Sequence, residues 1–162
     1  FLRLRRILKR DGVPSYLTDD AQYVYVRNMV LGGRLRPLLV NLLDDEGMVG
    51  IGKASKELNV PVRALYVSNA EGYWPYRDQF RENIWAQHVD EKSHLLRTVP
   101  KKRQNKDYIY YAQPMTNYGN WLREPFVRKV YDIIPRIRIK GEKHIPYLLF
   151  DKAPFNRKNK RR

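Results

Sequence analysis

Three runs with strand-like patterns dominate the first half of the chain. Valine, tyrosine and leucine are frequent in them, and turn residues separate them, which predicts three β-strands. They are QYVYVRNMV (22–30), RLRPLLVNLL (34–43) and MVGIGK (48–53). Gly32 and Gly33 lie between the first two, where glycine supplies the positive φ of a hairpin loop. The acidic DDEG at 44–47 is typical of a tight turn.

Glycine and proline positions predict a helix after these strands. Gly50 and Gly52 lie inside the third strand, where glycine usually marks a bulge or a close approach of another backbone. The helix is predicted to have Asn59 as its N-terminal cap and Pro61 in its first turn. Gly72 is a reasonable stop for it. Residues 22–72 are therefore predicted to fold as strand, strand, strand, helix.

The second half is predicted to mix helices with short strands. Tyr76, Phe80 and Ile84 recur at helical spacing, which predicts a helix near 76–88. The other predicted elements are a strand at 108–115, a helix from Glu124 within 120–134, and strands at 136–141 and 145–150.

Together these patterns predict an α+β fold, with a three-stranded antiparallel sheet, a following helix and a basic, aromatic-rich extension. The predicted segments are a basic arm at 1–21, a module at 22–72, an extension with helices and short strands at 73–151, and a basic tail at 152–162. The tail is too charged and too poor in apolar residues to fold alone.

Basic residues are in large excess. The 162 residues include 32 lysines and arginines against 17 acids, a net charge of +15. Residues 101–162 hold 17 of the bases and 5 of the acids, a net of +12. A surplus of this size points to a polyanionic partner. No apolar run approaches the roughly 20 residues that span a bilayer, so no membrane partner is expected.

The first ten residues, FLRLRRILKR, contain five basic residues and no acid. An arginine-rich, acid-poor composition occurs in organelle transit sequences. It also occurs in amphipathic basic segments of mature chains, which is the interpretation we prefer. Such a segment could form a short helix or an arm lying on RNA.

The order of motifs in residues 22–72 resembles the N-terminal module of the universal small-subunit ribosomal protein five family. That family has Gly-Gly-Arg after its first strand, an apolar strand, an acidic or glycine turn, a glycine-rich segment ending in Lys-Ala, and a Val-Pro helix start. The matching residues are Gly32-Gly33-Arg34, Leu38 to Leu43, Asp44 to Gly47, Val49-Gly50-Ile51-Gly52-Lys53-Ala54 and Val60-Pro61-Val62-Arg63-Ala64. The chain departs from the family in three ways. Leu31 replaces the usual basic residue, the glycine segment is short, and the second domain is not recognisable after Gly72.

The resemblance implies a fold similar to double-stranded-RNA-binding domains, and a structural constituent of the small ribosomal subunit that binds and positions rRNA. Its departures suit a divergent mitochondrial form, bound to the ribosome in the matrix; a cytoplasmic ribosome is the alternative. The implied partners are small-subunit rRNA and neighbouring small-subunit proteins in a large ribonucleoprotein complex. No cofactor is expected. The alternative function is a non-ribosomal RNA-binding accessory protein in ribosome assembly or RNA processing.

Basic side chains and the glycine pair are the candidate RNA contacts, because Arg and Lys pair with phosphates and glycine lets a backbone approach. They are Arg27, Asn28, Gly32, Gly33, Arg34, Arg36, Lys53, Lys56, Lys101, Lys102, Arg103, Arg157, Lys158, Lys160, Arg161 and Arg162. Arg34 and Arg36 share a face of the predicted second strand. Lys53 ends the third, so antiparallel pairing would bring all three to one surface. A merely solvated Lys53 is the alternative.

Aromatic residues after Gly72 could stack on unpaired bases, although core packing and protein contacts explain most of them. The best candidate is Tyr108 to Tyr111, which follows the predicted basic loop at 99–107.

No catalytic or metal site is predicted. His88 and His94 lack the i, i+4 spacing of a helical zinc site, and the chain has no cysteine. Gly50, Gly52 and Lys53 do not have the spacing of a nucleotide-binding phosphate loop. An enzyme acting on nucleic acid is a third class of function, for which no convergent carboxylates are recognisable.

Overall fold

A computed structural model describes residues 2–100, 108–134 and 147–155. The chain divides into two compact units, Phe1–Leu39 and Val40–Arg162. The first contains α1 (Leu2–Arg10) and α2 (Asp20–Leu31). The second contains α3 (Gly47–Glu57), β1 (Ala64–Ser68), a 3-10 turn (Ala70–Gly72), α4 (Asp78–Trp85), β2 (His94–Pro100), β3 (Tyr108–Pro114), α5 (Met115–Arg123), α6 (Val130–Ile133) and β4 (Tyr147–Leu149).

The N-terminal unit is helical. Of the two alternatives for residues 1–10, a short helix or an arm lying on RNA, the structure has the helix, α1. The predicted strand at 22–30 is wrong, because that segment lies in α2. The Asp19 side chain caps α2 by accepting a hydrogen bond from the Gln22 backbone N–H at 2.8 Å. Differences in helix propensity are below about 0.7 kcal/mol per residue, so a capped segment rich in Val and Tyr can still be helical.

The glycine pair ends α2 and does not make a hairpin. Gly33 has φ of +65°, and its N–H donates to the Val30 carbonyl at 3.1 Å. The Arg34 N–H donates to the Met29 carbonyl at 2.9 Å. These two bonds form a Schellman motif, which satisfies the last carbonyls of a helix. Positive φ was correctly predicted for Gly33, but Gly32 has φ of −81°.

The predicted second and third strands do not form. Residues 34–41 have no regular structure, and 48–53 lie in α3. The acidic turn at 44–47 does occur, directly before α3, and the Asp44 side chain accepts from the Glu46 N–H at 3.4 Å. Met48 and Gly52, four residues apart, are the buried positions of α3. This spacing belongs to a helix face and not to a strand.

Of the two alternatives predicted for Gly50 and Gly52, a bulge or a close approach of another backbone, the second occurs at Gly52 only, and it occurs in a helix instead of a strand. A Cβ atom at Gly52 would lie 2.3 Å from the carbonyl oxygen of Ala86, just after α4. At Gly50, by contrast, a Cβ atom would meet nothing within 4 Å. Glycine at position 52 is therefore what lets α3 pack against the end of α4.

Asn59 ends a helix and does not begin one. It has φ of +50°, and its N–H donates to the Lys56 carbonyl at 3.0 Å, while the Val60 N–H donates to that of Ser55 at 3.0 Å. This is a second Schellman motif, with asparagine in the left-handed position that it tolerates better than most residues. The helix predicted from Asn59 is wrong, and strand β1 occupies its centre.

The sheet has four strands in the order β1-β2-β3-β4. Strands β1 and β2 are parallel, β2 and β3 antiparallel, and β3 and β4 parallel. The predicted α+β class is confirmed. The predicted three-stranded antiparallel sheet is wrong, because the sheet has four strands and mixes parallel with antiparallel pairs. One face carries the buried side chains Leu95, Arg97, Val99, Ile109 and Tyr111. That face packs on α4, α5 and α6 in one core.

Predictions for the second half were more successful. The helix near 76–88 is confirmed as α4, with Tyr76, Phe80 and Ile84 all in the core. The strands at 108–115 and 145–150 are confirmed as β3 and β4. The helix from Glu124 is wrong: α5 ends at Arg123 just before Pro125, and the next helix starts at Val130. The strand predicted at 136–141 lies outside the described residues.

The first residues of the predicted tail dock on the core. The Lys152 carbonyl oxygen accepts a hydrogen bond from the Trp121 indole N–H at 2.8 Å. The Phe155 ring contacts the Trp121 ring edge-on, with 5.4 Å between the centroids. The expectation that 152–162 cannot fold alone stays a prediction, because residues 152–155 are held by contacts with Trp121.

Candidate functional site at the carboxyl ends of the parallel strands

Strands β1 and β2 form a parallel pair connected through α4, and a loop leaves the carboxyl end of β1. In open α/β sheets, ligands bind beyond the carboxyl ends of parallel strands. The last residue of β1, Ser68, has φ of +53°. This left-handed conformation is costly for a residue with a Cβ atom, and strain of this kind concentrates at functional sites. The loop after β1 is therefore the first candidate position for a site.

A buried polar network lies under this loop. The Glu71 Oε1 accepts hydrogen bonds from the hydroxyls of Tyr76 and Tyr118, each at 2.6 Å. Its Oε2 lies 3.1 Å from Arg97 Nε. Glu71 and Arg97 are 2% and 1% exposed, so this is an ion pair inside the core.

The rest of the network holds Arg97 in place. Its Nη2 donates to Gln113 Oε1 at 3.0 Å, and its guanidinium lies over the Tyr118 ring, 4.7 Å from the centroid. Arg97 Nη1 is buried without a hydrogen-bond partner in the described part of the chain, and the contact of Nε with Glu71 Oε2 is an ion pair without hydrogen-bond geometry. Buried ion pairs persist only where further contacts compensate their desolvation, and here two tyrosines and a glutamine supply those contacts.

The protonation states of the network follow from its burial. Burial raises the pKa of the Tyr76 and Tyr118 hydroxyls well above the ordinary value, and the negative charge of Glu71 raises both further. Burial alone would lower the pKa of Arg97, but the combined electrostatic interactions with Glu71, Tyr76 and Tyr118 outweigh it, and the net pKa is raised. Both tyrosines therefore stay neutral donors beside a charged pair.

A small cleft opens at the carboxyl ends of β1 and β2. It is shallow: the space of about 200 Å³ includes open solvent, and the enclosed part has room for about one water molecule. Polar lining residues are Ser68, Asn69, Thr98 and Tyr131, with Glu71 beside them and Val99 and Val130 on the apolar side. Asn69 Nδ2 also lies 3.5 Å from the hydroxyl of Tyr73, whose side chain is 80% exposed.

The sheet face opposite the core carries exposed tyrosines. Tyr66 of β1 is 58% exposed, and Tyr108 and Tyr110 of β3 are each 40% exposed. Tyr66 pairs with Leu96, and Tyr110 with Thr98, two residues further along β2, so all these side chains project from one face. Tyr111 is 2% exposed and belongs to the core. Within Tyr108 to Tyr111, the residues that could stack on bases are therefore Tyr108 and Tyr110.

The predicted RNA-contact residues fall in several places. Arg27 and Asn28 are exposed on α2, Gly32 and Gly33 end that helix, and Arg34 and Arg36 are exposed in the segment after it. Lys53 and Lys56 are exposed on α3, where Lys53 lies 4.0 Å from Glu57. The convergence predicted for Arg34, Arg36 and Lys53 depended on three antiparallel strands. Those strands do not form, so that reason for it is gone. Lys101, Lys102, Arg103, Arg157, Lys158, Lys160, Arg161 and Arg162 lie outside the described residues.

Two further findings concern metals and membranes. Among residues 2–100, 108–134 and 147–155, no three His, Cys, Asp or Glu side chains come together as a metal-ion site. No helix in the same ranges has the length and apolar character needed to cross a bilayer.

The buried network was missed in the sequence. Glu71 was interpreted as the end of a helix, and Arg97 was assigned no role. The two are 26 positions apart, and only the pairing of β1 with β2 brings them together. The one local signal is a glutamate within apolar and aromatic sequence, followed by Gly72, which is a weak pattern.

Comparison with known proteins leaves the activity open. No curated protein matches the chain. One family profile does, over residues 1–145, and its description is Domain of unknown function (DUF7790). Because this match covers most of the 162 residues, the chain belongs to the DUF7790 family.

Proposed function

We propose that the chain binds RNA, with unpaired bases stacking on the open face of the sheet. The observation that carries the proposal is the placement of Tyr66, Tyr108 and Tyr110 on one sheet face, each at least 40% exposed. Aromatic side chains on a sheet surface are a common platform for single-stranded RNA, because every base offers a ring to stack on.

Charge supports the same class of partner. The chain carries a net charge of +15, and the segment 101–107, which connects β2 to β3, begins with Lys101, Lys102 and Arg103. Basic side chains next to a stacking surface neutralise phosphates while the rings contact bases. In the N-terminal unit, the Arg34 guanidinium lies 5.8 Å from the centre of the exposed Tyr25 ring, so a basic and an aromatic side chain are together there.

The resemblance to the small-subunit ribosomal protein five family adds a narrower proposal. In it, the RNA is small-subunit rRNA, the neighbours are other small-subunit proteins, and the site is the mitochondrial ribosome. This proposal rests on the order of the motifs in 22–72 and not on a double-stranded-RNA-binding fold, because that segment has another secondary structure. An accessory protein that binds RNA outside the ribosome is the alternative.

The test is RNA binding by a double variant, Tyr66→Ala with Tyr108→Ala. Stacking contributes roughly 1–3 kcal/mol per base, so affinity for a single-stranded oligonucleotide should fall more than about tenfold. Tyr16→Ala is the matched control, since Tyr16 is 54% exposed but lies outside the sheet. Fluorescence anisotropy at fixed salt measures both.

Equal affinity of the double variant and the control would remove the sheet face as the RNA site. A preference for duplex over single-stranded RNA would contradict the stacking mechanism. Sedimentation of the tagged protein through gradients of increasing salt separates the two narrower proposals. A ribosomal constituent stays with the small subunit at salt concentrations that release an accessory protein.

A further inference from the structure

We propose that helix α1 of the N-terminal unit binds the phosphate backbone of nucleic acid through a basic face formed by Arg5, Arg6 and Lys9. This face is a second contact surface, in a different unit from the exposed tyrosines of the sheet. It holds phosphates by charge and reads no base. Because it requires no stacking on the sheet, this proposal and the proposed function can fail separately.

The two sides of α1 differ in polarity and in exposure. Residues three and four apart share one side of a helix. Arg5 and Arg6 lie four and three residues before Lys9, so these three side chains share a side, and all are exposed. Ile7 and Leu8 lie on the opposite side and are half-buried. The apolar side is therefore partly covered in the folded chain, whereas the basic side faces solvent.

The charge of the basic face is not balanced by any described acid. Helix α1 contains no acidic residue. Arg10, which follows the face, pairs with Asp11, with 2.7 Å between Nε and Oδ1. Within residues 2–100, 108–134 and 147–155, no ion pair involves Arg5, Arg6 or Lys9. An anionic partner would therefore meet a surface whose charge no described acid neutralises.

The same arrangement destabilises the isolated helix. Like charges three or four positions apart on a helix repel each other. In α1 the pairs with this spacing are Arg3 with Arg6, Arg5 with Lys9, Arg6 with Lys9 and Arg6 with Arg10. Its first turn also lacks the acidic residue that the helix dipole favours there. Sequences that break local rules in this way usually do so at functional positions, and a polyanion would relieve the repulsion.

The helix is nevertheless formed and firmly ended in the free chain. Gly12 has φ of +64°, and its N–H donates to the Lys9 carbonyl at 3.3 Å. The Val13 N–H donates to the Leu8 carbonyl at 2.9 Å. These bonds form a Schellman motif at the end of α1. The basic side chains are thus held on one side of a helix before a ligand binds, which lowers the entropy lost on binding.

The residue types favour nucleic acid over a lipid surface. Five of the nine residues of α1 are basic, along a helix of about 13 Å. Duplex nucleic acid carries one negative charge per about 1.7 Å of its axis, which suits such a dense row. Helix α1 has no aromatic residue to stack on a base. Helices that lie in a lipid surface insert their apolar side, but here Ile7 and Leu8 are already half-buried.

The test measures binding of the full chain to a blunt RNA duplex of about 16 base pairs, which offers phosphates but no unpaired bases. The variant is Arg5→Gln, Arg6→Gln, Lys9→Gln, since glutamine has nearly the same helix propensity as arginine and lysine. Fluorescence anisotropy at ~0.1 M salt should show affinity reduced more than about tenfold. The slope of log K against log salt should become shallower by about 2–3, at roughly 0.9 per lost phosphate contact.

The matched control is Arg77→Gln, Lys92→Gln, Arg128→Gln, which removes the same charge from exposed positions of the second unit. It should change the salt slope little. No residue of α1 is buried, and amide exchange of Val13 shows that the end of the helix persists in the variant. Equal losses for the two triple variants would overturn the proposal, because net charge and not the basic face would then set the affinity.

Vesicles of phosphatidylcholine with phosphatidylglycerol are the second probe. If the α1 variant loses binding to these vesicles and keeps its affinity for the duplex, a membrane surface is the partner and the proposal is wrong. The Tyr66→Ala, Tyr108→Ala variant should bind the duplex as tightly as the unchanged chain. Loss of single-strand binding in that variant and loss of duplex binding in the α1 variant therefore report on two different surfaces.

Discussion

Arg97 and Glu71 form an ion pair inside the core, with 3.1 Å between Nε and Oε2 and almost no exposure of either side chain. Removing one member of such a pair leaves the other charge buried, which costs about 3–5 kcal/mol. We therefore expect Arg97→Met to lower the free energy of unfolding by that amount, measured by urea denaturation. Arg63→Met is the control, because Arg63 pairs with Asp90 at the surface with 52% of its side chain exposed. Similar losses for the two variants would contradict a structural role for the buried pair.

Alkaline pH should destabilise the protein through Tyr76 and Tyr118. Burial, reinforced by Glu71, raises the pKa of both hydroxyls in the folded state. A tyrosine in the unfolded chain ionises at about pH 10. Above that pH the unfolded state loses protons that the folded state keeps. The contribution of the two tyrosines to the free energy of unfolding is therefore fully present below about pH 10 and is lost as pH rises. Each tyrosine contributes a slope of about 1.4 kcal/mol per pH unit.

Urea denaturation at several pH values between about pH 8 and pH 11 measures how steeply the free energy of unfolding falls with pH. Tyr76→Phe should make the free energy of unfolding fall less steeply with pH, because one of the two buried hydroxyls is removed. Tyr16→Phe changes an exposed tyrosine and should leave the steepness of this fall unchanged. A decline that is equally steep in both variants would mean that other groups cause it.

Gly52→Ala should be destabilising, whereas Gly50→Ala in the same helix should not. The new Cβ at position 52 would lie 2.3 Å from the Ala86 carbonyl oxygen, and that at position 50 would meet nothing within 4 Å. Overpacking of this kind costs roughly 1–3 kcal/mol. Alanine in an open helix position stabilises by about 0.5–1 kcal/mol relative to glycine. Opposite signs of the two changes in thermal denaturation are the expected result.

Gly33→Val should unwind the end of α2. A side chain with a Cβ atom costs about 1–2 kcal/mol in the left-handed region, and Gly33 has φ of +65°. Gly33→Asn should be milder, since asparagine tolerates that conformation. Amide exchange of Arg34, whose N–H donates to the Met29 carbonyl, reports the motif directly. Unchanged protection in Gly33→Val would show that the Schellman motif is not what ends the helix.

Truncation after Asn156 should weaken RNA binding in a salt-dependent way without unfolding the protein. It removes Arg157, Lys158, Lys160, Arg161 and Arg162, five basic residues and no acid. The slope of log K against log salt changes by roughly 0.7 for each phosphate of a single strand that is no longer neutralised. Truncation after Asp151 would also remove Lys152 and Phe155 and their contacts with Trp121, so it should lower stability as well. An unchanged salt slope for the shorter deletion would mean that these residues do not contact RNA.

Individual residue types were a good guide to where helices and turns end. They were a poorer guide to whether a helix or a strand lies on each side of such a residue. Gly33 and Asn59 were both identified as boundary residues, and both are. A left-handed residue can end a helix or close a hairpin, and asparagine can cap either end of a helix. For Gly52 a bulge or a close backbone approach was predicted within a strand; the close approach occurs, but Gly52 lies in a helix and the neighbour is Ala86, just after α4.

The candidate site was less predictable than the fold. The spacing of Tyr76, Phe80 and Ile84 is local, so it predicted α4 correctly. The contact between Glu71 and Arg97 depends on the parallel pairing of β1 with β2, which periodicity does not report. For the exposed tyrosines of the sheet, the sequence predicts one part of the arrangement and not the other. The alternation along β3 separates Tyr110 from Tyr111, but only the register across β2 places Tyr66 on the same face.

The docking of Phe155 on Trp121 also has a consequence for the stage of synthesis at which this unit can finish folding. Trp121 lies fully inside the core, yet two of its ring neighbours, Phe150 and Phe155, come about thirty positions later in the chain. As the chain leaves the ribosome, β1, β2 and β3 emerge first, and one side of the Trp121 ring stays uncovered until β4 and the segment after it arrive. The core is therefore completed only once Phe155 has emerged, and a chain halted before Phe150 would expose an indole ring that the folded unit hides.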